Sequence, residues 1–207
     1  MSSPPLARVA VLLSGRGSNY RALQEAVDAR AIPAEIVAVV SNEPKAPGLD
    51  VARAAGVCAH SIPHRGEGSR ASHEAKVREV LERADAEWLC LAGYMRLLSE
   101  SFVERYRGRI LNIHPSLLPA FPGLDVQRQA LEHGVRVSGC TVHLVDAGLD
   151  SGPIVVQRAV PVLDDDTPES LAARILVEEH RAYPEALRRL ITERWVLEGR
   201  RLRFLTR

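Results

Sequence analysis

The chain has 207 residues, 27 Lys and Arg against 26 Asp and Glu for a net charge of +1, 46% apolar residues and three cysteines. That length can bury a core without disulfide or metal staples, and the balanced charge argues against a dedicated nucleic-acid or membrane-surface binder, which carries a basic excess. Cys58, Cys90 and Cys140 form neither an even set nor a Cys-x-x-Cys pair, and no basic n-region or membrane-length apolar run opens the chain, so a cytoplasmic protein in a reducing compartment is expected.

Short apolar runs alternate with helical patterns along the first half. The run Val-Ala-Val-Leu-Leu over 9–13 reads as a strand buried on both faces, followed by an amphipathic helix over 20–30 and a second such strand over 36–40. Helix over 48–55, strand over 57–62, helix over 70–84 and strands over 87–92 and 110–113 continue the alternation. The pattern then changes. A Pro- and Gly-rich loop over 115–123 leads to a helix over 126–132, then to strands over 137–145 and 154–162 joined by a turn over 146–153. Thr167-Pro168-Glu169 marks a helix start, with the helix running to 190 and bent at Pro184, and 194–204 reads as a hairpin turning at Glu198-Gly199. The expectation is one α/β domain over 1–207: an open, mostly parallel, Rossmann-like sheet with helices on both faces and antiparallel edge strands near the C-terminus. Ligands of such sheets bind at the carboxyl ends of the strands.

Three segments can carry chemistry. Ser14-Gly15-Arg16-Gly17-Ser18-Asn19 joins a strand to a helix, where glycines permit a tight turn and free N–H groups suit an anion such as phosphate. It lacks the third glycine of a dinucleotide fingerprint and the Gly-Lys of a P-loop, so a plain structural turn competes with it. In the second segment, Asn112 and His114 share a face at a strand end, and Pro115 keeps His114 extended. An amide donor beside an imidazole can stabilise charge on a carbonyl oxygen and move protons; the plainer alternative is a histidine bonded to a loop carbonyl. In the third, Asp146 and Asp150 are equally able to orient His114 and hold its proton by raising the imidazole pKa, or simply to cap the turn. Cys58, His60, His64 and His73 have ligand-like spacing, but no second cluster completes a metal site, and scattered surface histidines are the better reading.

Taken in order, Gly17-Ser18-Asn19, Leu91-Ala92-Gly93-Tyr94-Met95-Arg96-Leu97-Leu98, Asn112-Ile113-His114-Pro115-Ser116-Leu117-Leu118-Pro119 and Leu149-Asp150-Ser151-Gly152-Pro153 resemble the phosphoribosylglycinamide formyltransferases, folate-dependent enzymes of purine synthesis. The resemblance runs over 9–184. It implies transfer of the formyl group of 10-formyltetrahydrofolate to the amine of glycinamide ribonucleotide through a tetrahedral intermediate. It assigns Gly17, Ser18, Asn19 and Glu179 to the ribonucleotide, and Arg70, Met95, Arg96, Leu97, Leu98 and Asn112 to the folate. Asn112, His114 and, of the two aspartates, Asp150 become the catalytic set, with Asp150 tuning the histidine. No metal is implied, nor a nucleic-acid or membrane partner, and the protein is expected to be a monomer or homodimer. The methionyl-tRNA and sugar-nucleotide formyltransferases share the Asn-x-His core but carry further domains for which the residues after Arg188 leave no room. A formyltetrahydrofolate deformylase, which adds an N-terminal domain, is the hydrolytic alternative, and a non-catalytic phosphate-ligand module is the other.

Overall fold

The computed structural model describes residues 5–66 and 68–205. Its contacts gather into two units, Met1–Leu111 and Asn112–Arg207, taken here in turn.

In the first unit β1 (Ala7–Leu13) is followed by α1 (Ser18–Asp28), β2 (Ala34–Ser41), α2 (Pro47–Ala54), β3 (Ala59–Ser61), α3 (Arg70–Arg83), β4 (Trp88–Leu91) and α4 (Glu100–Arg105), and β5 (Ile110–His114) crosses into the second unit. The strands pair in parallel in the order β3-β2-β1-β4. Val9 to Leu13 are wholly buried, as the continuous apolar run requires of a central parallel strand. Ile36, Val39 and Val40 of β2 and Leu89 and Cys90 of β4 extend the same core. Parallel pairing sets β1 and β4 side by side with their carboxyl ends together, so the loops that follow them emerge at one edge. α4 is the one helix the sequence pattern does not disclose. Its six residues bury only Phe102 and Val103, too few to display a helical period, and the turn is held by Ser99, whose Oγ accepts from the Phe102 N–H.

In the second unit α5 (Val126–Glu132), β6 (Val137–Leu144), β7 (Ile154–Pro161), α6 (Pro168–Thr192), β8 (Trp195–Glu198) and β9 (Arg201–Phe204) follow β5. β6 and β7 are antiparallel, β9 runs parallel to β7, and β8 closes the terminal hairpin on β9. The β6–β7 register slips between Val142 and His143, a bulge that falls where β6 reaches its polar end. α6 starts with a capping box between Thr167 and Ser170 and Pro168 in its first turn, and it runs unbroken across Pro184. Leu171, Ile175, Ala182, Tyr183, Ala186, Leu187 and Leu190 form its buried stripe, which packs on β6 and β7. Gly152 enters β7 so close to the chain that a Cβ would lie 1.8 Å from the Leu144 carbonyl oxygen, which excludes any side chain there. Among the described residues no helix is long and apolar enough to cross a membrane.

Candidate active site

Each candidate segment sits at a strand end. After β1 the chain turns at Gly17, in the left-handed region at φ +75°, where a Cβ would come 2.8 Å from the Gly48 Cα. The Gly48 N–H donates to the Gly15 carbonyl at 3.1 Å, so the start of α2 buttresses the loop. α1 opens at Ser18 with no side-chain cap and no acidic residue in its first turn, so no carboxylate of its own offsets the partial positive charge of its N-terminal end. A phosphate fits that electrostatic need. Asn19 is buried and Arg16 is exposed.

The loop after β4 has a complementary character. Met95 and Leu97 are 63% and 65% exposed, two large apolar side chains presented together, while Tyr94 between them and the strand is buried and its hydroxyl is held un-ionised by that burial. These exposed apolar side chains offer a surface for an apolar part of a ligand. Arg96 and Leu98 are half-buried and Arg70, the first residue of α3, is exposed.

The second unit assembles the titratable groups. Asn112 and His114 lie on the same face at the end of β5, as the two-residue period demands, and His114 is only 4% exposed. Its Nε2 is 2.8 Å from the Phe121 carbonyl oxygen and its Nδ1 is 3.4 Å from Asp150 Oδ2. Both neighbours are acceptors, so each ring nitrogen faces an atom able to receive an N–H. The plainer expectation, a histidine bonded to a loop carbonyl, is therefore also present, on the opposite nitrogen from the carboxylate. Asp150, at φ +48° in the left-handed region, also accepts the Gly123 N–H at 2.9 Å, and its side chain is 11% exposed. Asp146 instead caps its own turn, accepting from the Gly148 N–H and the Ser151 hydroxyl. Of the two aspartates that chemistry alone left open, the geometry brings Asp150 to the histidine. It also borders a cleft of about 430 Å³ lined by Leu118, Pro119, Ile154 and Arg200 to Leu202.

His143 belongs to the same cluster and was absent from the sequence reading. Its Nδ1 is 3.0 Å from the Leu144 carbonyl, an acceptor, so that nitrogen carries the proton and Nε2 accepts from Asn112 Nδ2 at 3.1 Å. Burial, to 2% exposure, lowers its pKa and keeps the ring neutral, which outweighs the opposing pull of the Leu144 carbonyl and Asp150. The 3.8 Å approach of Nε2 to Asp150 Oδ1 is accordingly no ion pair. The neutral ring fixes which end of the Asn112 amide faces it, leaving the second amide N–H of Asn112 aimed elsewhere. A lone histidine in a buried run of β6 reads in sequence as core, and only its neighbours reveal the difference.

Glu179 is buried on the packed face of α6, near Cys140, whose thiol is pushed up to about 12 by burial, with Glu179 and Glu178 adding to the effect. Among the described residues no group of three or more His, Cys, Asp and Glu side chains could hold a metal ion. His64 and His73 meet edge to face, with His73 Nε2 bonded to the Ile62 carbonyl at 2.9 Å.

The chain is 51% identical over 189 residues to the trifunctional purine biosynthetic protein adenosine-3 of Drosophila pseudoobscura pseudoobscura, covering 90% of this chain and 14% of that protein, so it spans about a seventh of that relative's length. It is 40% identical over 192 residues to the phosphoribosylglycinamide formyltransferase of Escherichia coli (strain K12), covering 93% of this chain and 88% of that one. Among solved structures, glycinamide ribonucleotide transformylase 1 from Symbiobacterium toebii superposes with a TM-score of 0.96 at 50% identity, covering 99% and 96% of the two chains. A formyltetrahydrofolate deformylase from Pseudomonas putida KT2440 has a TM-score of 0.88 at 30% identity, covering 99% of this chain and 72% of that one. The expected fold class, a mostly parallel α/β sheet with antiparallel C-terminal edge strands, is that of these formyltransferase structures. The formyl transferase family model matches residues 7–187, and the chain belongs to that family.

Proposed function

We propose that this protein transfers the formyl group of 10-formyltetrahydrofolate to the amine of glycinamide ribonucleotide, yielding formylglycinamide ribonucleotide and tetrahydrofolate in cytoplasmic purine synthesis. The observation that carries this reading is the Asn112, His114 and Asp150 cluster, with the Asp150 carboxylate 3.4 Å from the imidazole. Support also comes from relatives of that name that match this chain across nearly its full length, and a family match running through both units favours one formyl-transfer domain.

In this reading Gly17, Ser18 and Asn19 hold the ribonucleotide phosphate and ribose, with Glu179 on the ribonucleotide, while Arg70 and the 95–98 loop hold the folate. The amine nitrogen attacks the formyl carbon. As the carbonyl becomes a tetrahedral oxyanion, the Asn112 amide N–H that His143 does not take and the charged His114 ring stabilise it. Collapse breaks the bond to folate N10, and the proton lost by the amine reaches N10 through His114 or a water. Asp150 stabilises the ring while it carries the positive charge.

The hydrolytic alternative, with water in place of the amine, uses the same groups, and the deformylase likeness is the observation that favours it. A binding module alone has no need of the imidazole and carboxylate pair. The deciding measurement is consumption of 10-formyltetrahydrofolate with and without glycinamide ribonucleotide. Consumption that requires the ribonucleotide and yields its formyl derivative is expected; consumption at the same rate without it would overturn the transferase reading.

A further inference from the structure

Ser14 has no assigned role, yet it joins the two ligand segments of the first unit. Its backbone N–H donates to the Gly93 carbonyl at 3.1 Å, and its hydroxyl oxygen accepts the Met95 N–H at 2.8 Å. Having accepted that bond, the hydroxyl donates its own proton to Asn42 Oδ1, which is its remaining close partner. That bond orients the buried Asn42 amide, so its Nδ2 faces His64 Nδ1 at 3.1 Å. The first two bonds therefore have one allowed direction, from Met95 to Ser14 and from Ser14 to Asn42, while His64 Nδ1 also lies 3.3 Å from the Asn42 carbonyl oxygen. Ser14 is also the residue that leads into the Gly15 to Asn19 loop. One side chain thus fixes the 95–98 loop and the start of the phosphate loop to each other.

We propose that Ser14, held by Asn42, is a positioning residue that couples the two substrates, so that binding of one orders the bracket and strengthens binding of the other. This rests on the assignment of the 17–19 loop to the ribonucleotide and of the 95–98 loop to the folate. Each segment is a loop whose ordering costs conformational entropy, and a shared bracket means that the first ligand bears part of the cost of the second. Loss of the hydroxyl leaves the Met95 N–H without its acceptor and severs the bracket while leaving every proposed ligand contact in place.

The test is calorimetric titration with glycinamide ribonucleotide and with tetrahydrofolate, each alone and with the other saturating; neither carries a formyl group, so no turnover intervenes. For the wild type each ligand is expected to tighten the other by about ten-fold, and by the same factor in both orders. Ser14→Ala should bring that factor close to one, Asn42→Ala should lower it likewise, and Ser14→Thr, which keeps the hydroxyl, should retain it. A general loss of stability lowers the active fraction but not the coupling factor of the folded molecules. Wild-type protein that binds neither ligand overturns the functional reading and this proposal together. Binding of both with no coupling, coupling unchanged in Ser14→Ala, or coupling lost equally in Ser14→Thr overturns the proposal alone.

Discussion

Replacing Asp150 by Asn isolates the charge beside His114. Asn tolerates the left-handed backbone that Asp150 adopts at φ +48°, and its amide oxygen can still accept the Gly123 N–H, so the turn should survive. The lost attraction can be sized from the 3.4 Å separation. At an effective dielectric constant of about 20, two unit charges at that distance interact by about 5 kcal/mol. The side chain is 11% exposed and the amide dipole returns part of the attraction, so roughly 3–4 kcal/mol should be lost from a transition state with a positive ring. That corresponds to a fall in kcat of about 10²–10³. Steady-state formyl transfer at saturating ribonucleotide, beside a denaturant unfolding curve, measures both parts. The reasoning fails if Asp150→Asn turns over within a few-fold of wild type, or if the variant loses activity only in proportion to a comparable loss of folded protein.

Three further outcomes follow from particular contacts. Gly17→Ala forces a side chain into φ +75° with its Cβ 2.8 Å from the Gly48 Cα, and should cost about 2 kcal/mol in thermal or denaturant unfolding and raise the ribonucleotide KM; unchanged stability would contradict the loop geometry. Cys58 is exposed while Cys90 and Cys140 are buried, the Cys140 thiol being pushed up to about 12, so a thiol reagent should titrate one cysteine rapidly in native protein and all three after denaturation; rapid labelling of Cys140 would contradict its burial. His143→Gln can accept from Asn112 and donate to the Leu144 carbonyl as the neutral ring does, and should keep most activity, whereas His143→Phe leaves the Asn112 amide unoriented and should lower kcat about ten-fold or more; equal activities in the two variants would remove His143 from the site. The same residue sets a pH dependence. Its pKa is lowered in the folded state, so its contribution to stability is complete above the ordinary imidazole value of 6.5 and is lost as pH falls through that value towards the folded one, because the unfolded chain gains the proton first. Unfolding free energies measured between pH 8 and 5 should decline more steeply for the wild type than for His143→Gln.

Much of this arrangement was legible before any coordinates. The apolar runs at 9–13 and 36–40 could only be central strands, and β1 and β2 extend them by one or two residues where pairing continues past the apolar stretch. Asn112 and His114 were placed on one face by counting alone, and the structure keeps them there. What escaped was of two kinds. α4 is too short to show a period, and its stability comes from Ser99, which also bonds Glu74 of α3, a contact 25 residues away. His143 escaped because its meaning lies in a hydrogen-bond direction. Nothing in the run Gly-Cys-Thr-Val-His-Leu says that the ring will face Asn112, since that depends on the bulge at Val142 and on the pairing of distant segments.

The two histidines show how one fold gives identical side chains opposite surroundings. His114 faces acceptors on both nitrogens, the Phe121 carbonyl and the Asp150 carboxylate. His143 faces an acceptor on one nitrogen and the Asn112 amide on the other, and burial in β6 removes the reward for charging it. One ring can therefore supply positive charge and a mobile proton, while the other holds a neutral donor still. Formyl transfer needs both, because the oxyanion forms at one atom while the proton travels between two others. Asp150 separates the roles, lying within ion-pair distance of His114 and facing only a lone pair on His143. A substitution that protonated His143 would turn the Asn112 amide oxygen towards that ring and swing its N–H groups out of register. The site would then lose a donor although every residue named by the sequence reading was still in place.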